Sequence, residues 1–186
     1  MEIHGYCDER FAAVRDAFEQ NFAERGEVGA SFAATVEGEY VIDLWAGHAD
    51  AARTRPWEED TIVNVYSTTK TMSFLCALVL ADRGELDFHA KVIDYWPEYG
   101  QNGKEATEVR HFMSHSAGVP GFAPRMTADE LYDWDACIEN LAAQAPWWEP
   151  GSRSGYHAIT QGYLIGELVR RITGRSLGTF LSLIHI

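Results

Sequence analysis

The chain contains one Ser-x-x-Lys, at Ser67-Thr68-Thr69-Lys70. At the start of a helix, positions i and i+3 share a face, so the ammonium reaches the hydroxyl. The chemistry this permits is nucleophilic. Serine is a weak nucleophile until a neighbouring base takes its proton, and a lysine serves as that base where desolvation or nearby charge tunes it. A helix N-terminus also turns backbone N–H groups toward developing negative charge. By itself the pattern describes a helix start with a surface lysine equally well. Tyr156, in Gly151-Ser152-Arg153-Ser154-Gly155-Tyr156-His157-Ala158, offers a phenol that can exchange a proton with a serine and a lysine. Its plain alternative is an aromatic packed on a loop.

These residues need elements to hold them. Thr69 to Arg83 reads as a helix ended by Gly84, with Met72, Phe74, Leu75, Leu78, Val79 and Leu80 on more than one face. That breadth predicts a helix buried on several sides. Asp8 to Arg25 is amphipathic: Phe11, Val14, Phe18 and Phe22 recur at three- and four-residue steps, and Gly26 is a stop. Val28 to Val36 and Glu39 to Trp45 read as strands joined by Glu37-Gly38. A hairpin alone is marginal, so these strands are expected to belong to a larger sheet. Glu105 to Ser114, Ala128 to Ala145 and Thr160 to Thr173 are expected to be helical, the last closed by Gly174; Pro146 to Gly151 is a rigid turn region.

Composition narrows the function classes. The chain has 186 residues, 15 Lys plus Arg against 28 Asp plus Glu, and a formal net charge of −13. Its 46% apolar content is that of a globular protein. The charge argues against nucleic acid and against an acidic lipid surface. The longest uncharged stretches, such as Thr71 to Ala81, fall short of the roughly 18 apolar residues that a membrane span requires. The N-terminus is a poor signal peptide, and the three dispersed cysteines Cys7, Cys76 and Cys137 suit a reducing cytoplasm. No metal or organic cofactor is expected. His111 and His115 are spaced i, i+4, but Phe112 stands where a His-Glu-x-x-His motif has its glutamate, so a structural role is favoured. Gly174-Arg175-Ser176-Leu177-Gly178 matches the nucleophile elbow Gly-x-Ser-x-Gly, which needs a strand before it. Here a helix precedes it, so Gly174 reads as a C-cap and Ser176 as an N-cap.

Three motifs in order carry a resemblance: Tyr66-Ser67-Thr68-Thr69-Lys70, then Ser114-His115-Ser116-Ala117-Gly118, then Trp148-Glu149-Pro150-Gly151 with Gly155-Tyr156-His157-Ala158. Together they resemble the serine β-lactamase-like superfamily, and within it family VIII carboxylesterases and class C β-lactamase-related hydrolases. The resemblance runs from about Phe11 to Phe180. It implies an α+β, β-lactamase/transpeptidase-like fold: an antiparallel sheet with packed helices plus a helical region. It also implies that Ser67 is the acylated nucleophile, that Lys70 and Tyr156 activate it and shuttle protons, and that the Ser67 N–H forms half of an oxyanion hole. Tyr66, Trp148 and His157 are candidates to line the substrate pocket. Class C β-lactamases have Tyr-x-Asn where this chain has Tyr156-His157-Ala158. Losing that amide favours small esters, with lactams, D-amino-acid peptides and linear amides as alternative substrates. A further family motif, on a C-terminal strand that gives the second oxyanion N–H, lies beyond this chain. The expectation is therefore one incomplete domain over 1–186: a first helix and strands in 1–66, a helical region with the site in 67–181, and a tail at 182–186 that departs from the family pattern. A non-catalytic assembly homologue or inactive fragment is the alternative from another class.

Overall fold

The computed structural model describes residues 1–185. The chain divides into two compact units, one of Met1–Asn64 and one from Val65 onward. The first unit holds strand β1 (Ile3–Cys7), helix α1 (Ala12–Glu24), strand β2 (Gly29–Val36) and strand β3 (Glu39–Gly47). The sheet is antiparallel in the order β1-β3-β2. Glu37 (φ 52°) and Gly38 (φ 86°) make the β2–β3 turn with two positive φ angles, the geometry that follows the twist of paired strands. Ile42, Leu44 and Ala46 alternate onto one face of β3 and bury with Phe18 of α1, and Phe11, Val14 and Phe22 pack around them.

β1 was not expected from the sequence. Its Gly5 interrupts any strand pattern, yet the glycine is required. A Cβ there would lie 2.0 Å from the Asp43 carbonyl oxygen.

The second unit contains α2 (Lys70–Asp82), α3 (Val109–Met113), α4 (Trp134–Ala143), α5 (Thr160–Thr173) and α6 (Leu177–His185). α5 is its axis. Leu164, Ile165, Leu168 and Val169 are buried in one cluster with Cys76, Ala77 and Leu80 of α2, Val109 and Phe112 of α3, and Ile138 and Leu141 of α4. Gly174 ends α5 in the left-handed conformation (φ 70°), and Ser176 Oγ accepts the Thr179 N–H at 3.2 Å. The Gly-x-Ser-x-Gly match is thus a C-cap followed by an N-cap between two helices.

Several expectations change. α2 is not buried on several sides: Ser73, Cys76, Ala77 and Leu80 pack inward, while Met72, Leu75 and Leu78 are 39%, 39% and 54% exposed. The helix expected over Ala128 to Ala145 breaks at Asp133, whose extended backbone and carboxylate cap α4 by accepting the Ala136 N–H at 3.0 Å. The 105–114 helix shortens to α3, because Glu108 is bridged to Lys91 in extended pairing. In the stretch set apart as a tail, 182–185 continue α6 and Ile186 lies outside the described residues.

Two buried charges tie the second unit together. Lys104 is fully buried. Its Nζ donates to the carbonyls of Gln101 (3.1 Å), Ala142 (2.9 Å) and Gln144. Two of these carbonyls lie at the C-terminal end of α4, where a cation opposes the helix dipole. Burial pulls its ammonium down to about 8. Glu167 is also fully buried. Burial alone would raise its carboxyl, but hydrogen bonds from Arg170, Arg171 and Trp134 outweigh that and hold it below its ordinary value.

Candidate active site

Ser67 lies in a tight 3-10 turn, Tyr66–Thr69, that runs directly into α2. The chain enters the turn through Tyr66 at φ 47°. A non-glycine residue in that region costs about 1–2 kcal/mol, so the approach to the serine is a sharp, strained corner. Lys70, the first residue of α2, brings Nζ to 3.3 Å from Ser67 Oγ. A second N–H of Lys70 donates to the Ala158 carbonyl at 2.8 Å. That bond fixes the lysine between the turn and the loop bearing Tyr156.

Tyr156 closes the group. Ser67 first, and then Lys70 through its hydrogen-bonding group and its charge, hold the phenol below its usual value. The Lys70 ammonium also lies 5.0 Å from the Tyr156 ring centroid. The structure therefore brings Ser67, Lys70 and Tyr156 together, all from the second unit.

The Tyr156 loop is built against the 114–119 segment. Gly155 N–H donates to the His115 carbonyl (3.0 Å), Gly151 N–H to the Ser116 carbonyl (2.9 Å) and Trp147 N–H to the Gly118 carbonyl (2.7 Å). Ser154 Oγ donates to the Ser114 carbonyl at 3.1 Å. The approach is close. A Cβ on Gly118 would lie 2.5 Å from the Trp148 carbonyl oxygen, and one on Gly155 would lie 2.5 Å from the Trp148 ring.

The pocket candidates separate. Tyr66 is 79% exposed and directly precedes Ser67. His157 is corrected from pocket wall to support, because it is fully buried and both ring nitrogens are engaged by backbone. Nδ1–H donates to the Gly155 carbonyl (2.6 Å) and Nε2 accepts the Val119 N–H (3.2 Å). Burial holds this imidazole below its ordinary range, so the neutral tautomer is the one that fits. Trp148 is half-buried, with its ring against Gly155 and edge-on to His157 at 6.1 Å.

Two participants were illegible in the sequence. The Ala158 carbonyl is backbone and leaves no residue-type signal. His115 was read as structural, yet its ring lies 4.7 Å from that of Tyr156. Among the described residues no three His, Cys, Asp or Glu side chains come together as a metal would need. His111 Nδ1 instead accepts the Glu108 N–H at 3.2 Å. An apolar cavity of about 640 Å³ borders α5 and is lined by Ser73, Leu131, Trp134, Tyr163 and Leu177 among others, without Ser67, Lys70 or Tyr156.

A serine and a lysine one turn apart at the start of a core helix, a tyrosine delivered by a loop, and an antiparallel sheet elsewhere in the chain define the β-lactamase/transpeptidase-like class. Residues 14–182 match the Beta-lactamase family, and the chain belongs to it. It is 40% identical over 175 residues to the esterase/beta-lactamase LipL of Mycobacterium tuberculosis, a match covering 94% of this chain and 40% of that protein. It is 30% identical to esterase EstB of Burkholderia gladioli, over 89% of this chain and 46% of that one. Among solved structures, a family VIII carboxylesterase superposes with a TM-score of 0.91 at 49% identity, over 98% of this chain and 50% of the other. A penicillin-binding protein homologue from Caulobacter crescentus superposes with a TM-score of 0.93 at 47% identity, over all of this chain and 50% of that one. The chain thus spans about half the length of the proteins it matches, or less.

Proposed function

We propose that this chain carries the nucleophile and the proton-transfer pair of a serine carboxylesterase acting on small esters through an acyl-enzyme. The observation that carries the reading is the grouping of Ser67, Lys70 and Tyr156, with Lys70 Nζ 3.3 Å from Ser67 Oγ and 5.0 Å from the Tyr156 ring centroid. Ser67 Oγ attacks the ester carbonyl carbon as its proton passes to the Lys70–Tyr156 pair. The tetrahedral intermediate collapses, and the alcohol leaves with that proton. Water then attacks the acyl-Ser67 carbonyl, giving its proton to the same pair. The acid departs and Ser67 regains its hydrogen. The Ser67 N–H is one oxyanion donor, worth about 3 kcal/mol in the transition state. Ala158 in place of an amide side chain supports esters over lactams, as does the likeness to two proteins named as esterases. Three free cysteines support a reducing compartment such as the cytoplasm.

The test uses the full-length gene product and a fluorophosphonate probe. Peptide mass spectrometry is expected to find the adduct on Ser67. Ser67→Ala is expected to lose both labelling and hydrolysis of a short-chain nitrophenyl ester. Full ester hydrolysis by Ser67→Ala overturns the assignment. A chromogenic cephalosporin assayed beside the ester decides between esterase and β-lactamase activity.

A further inference from the structure

His115 occupies a position where helices ordinarily place glycine. It follows the last turn of α3 with φ 57°, and the next N–H, that of Ser116, returns to the His111 carbonyl at 2.9 Å. That is the closing bond of a left-handed C-terminal cap. Histidine carries a steric cost there that glycine avoids, so its ring is the feature to explain. The backbone of His115 already holds the neighbouring loop, since its carbonyl accepts the Gly155 N–H. The ring does something further. Nδ1 accepts the His157 N–H at 3.1 Å, and the ring centroid lies 4.7 Å from that of Tyr156, the two planes tilted by 54°. One side chain thus fixes the residue after the candidate proton carrier and touches the carrier itself.

We propose that His115 is a positioning residue whose neutral ring, accepting at Nδ1, clamps the Gly155–His157 loop and so holds the Tyr156 phenol against Ser67 and Lys70. The proposal rests on the Ser67–Lys70–Tyr156 reading of the site. Its chemistry follows from the bond. Nδ1 accepts from a backbone N–H only while unprotonated, which places the ring hydrogen on Nε2. A proton on Nδ1 would set two donors against each other at 3.1 Å.

The groups facing the ring are Lys70 from α2 and Tyr156 and His157 from the loop. Burial first, and then the Lys70 charge, hold the imidazole below its ordinary range, and no carboxylate contributes. The sign follows. A depressed value means the clamp is present above the ordinary imidazole range and is lost as pH falls through the lowered value. Acid therefore releases Tyr156 by adding a cation beside Lys70 and removing an acceptor.

Asparagine separates the two properties of the ring, because it tolerates a left-handed backbone and can present Oδ1 as an acceptor but does not titrate. The experiment compares wild type, His115→Asn and His115→Ala in the full-length gene product. His115→Ala is expected to lose at least tenfold in kcat at pH 8 with KM changed less than threefold. His115→Asn is expected to stay within about threefold of wild type at pH 8 and to retain a larger fraction of that rate at pH 5.5. Equal acid limbs in wild type and His115→Asn, or an unchanged kcat in His115→Ala, overturn the proposal. Ring ¹⁵N spectra of the Ser67→Ala protein test the clamp without turnover. They are expected to show His115 neutral, with its hydrogen on Nε2, titrating below the ordinary range. Titration at or above that range overturns the clamp. Fluorophosphonate labelling away from Ser67 would instead sink the site reading and leave the ring spectra to judge the clamp alone.

Discussion

Lys70 faces a hydroxyl on one side and the Ala158 carbonyl on the other. The carbonyl takes one N–H whichever protonation state the amine is in, which orients the remaining valence toward Ser67. Lys70→Ala removes both the proposed proton carrier and the tie to the loop. Tyr156→Phe removes only the phenol. Each is expected to lower kcat by about 10²–10⁴-fold, the range of general acid–base catalysis. Because Ser67 and Lys70 hold the phenol below its ordinary value, activity is expected to rise with pH through an apparent value below the free phenol's. That value belongs to the pair rather than to either residue. Titrating kcat/KM checks it, and a limb at the free phenol value contradicts the coupling. Away from the site, Lys104→Met strands the Ala142 and Gln144 carbonyl acceptors, while the Gln101 carbonyl keeps the residue-104 backbone N–H, and is expected to cost about 3 kcal/mol in chemical denaturation. The Lys104 ammonium titrates at about 8 when folded against 10.5 ordinarily. Wild type should therefore gain stability relative to Lys104→Met as pH rises from about 8 toward that ordinary value, and a flat difference would show that the amine does not titrate in the fold.

At the scale of elements, the site depends on how closely two loops approach. Gly155→Ala would place a methyl 2.5 Å from the Trp148 ring. Either the indole or the loop must move, and overpacking of this kind costs about 1–3 kcal/mol. The expected result is a lower midpoint in thermal unfolding together with a lower kcat, since the displaced loop carries Tyr156. A change in stability with kcat intact would place the strain elsewhere. The same closeness explains what the sequence revealed. α5 was legible to its ends, because a long periodic apolar face is followed by a glycine that takes φ 70°. The hairpin was legible through Glu37-Gly38. Ser67 and Lys70 were legible because a one-turn spacing is local. What was not legible is contact between distant backbone segments: the Ala158 carbonyl on Lys70, the pairing of β1 with β3, and the loop bonds that bury His157. The residue type at 157 suits a pocket wall and a loop anchor equally well; only the bonds to Val119 and Gly155 choose between them.

At the scale of the whole chain, apolar surface and charge oppose each other. α2 carries more apolar residues than it buries, leaving Met72, Leu75 and Leu78 exposed on consecutive turns. β2 is an edge strand with Phe32 and Val36 exposed at 44% and 45%. Such surfaces associate. The net charge of −13 works against association, but only over the screening length, about 10 Å at 0.1 M salt and 3 Å at 1 M. The 186-residue chain alone is therefore expected to bind a hydrophobic dye and to self-associate as salt rises, measured by sizing chromatography with light scattering. Leu75→Gln with Leu78→Gln tests which surface is responsible. In the isolated chain the pair is expected to reduce dye binding and raise the monomer fraction with little effect on the unfolding midpoint, because exposed side chains contribute little to stability. In the full-length gene product the prediction reverses if further chain covers α2. The same two substitutions then bury two amides against apolar groups and cost about 2–5 kcal/mol. Unchanged dye binding in the isolated chain would shift the cause to the β2 edge, where Phe32→Thr becomes the variant to measure.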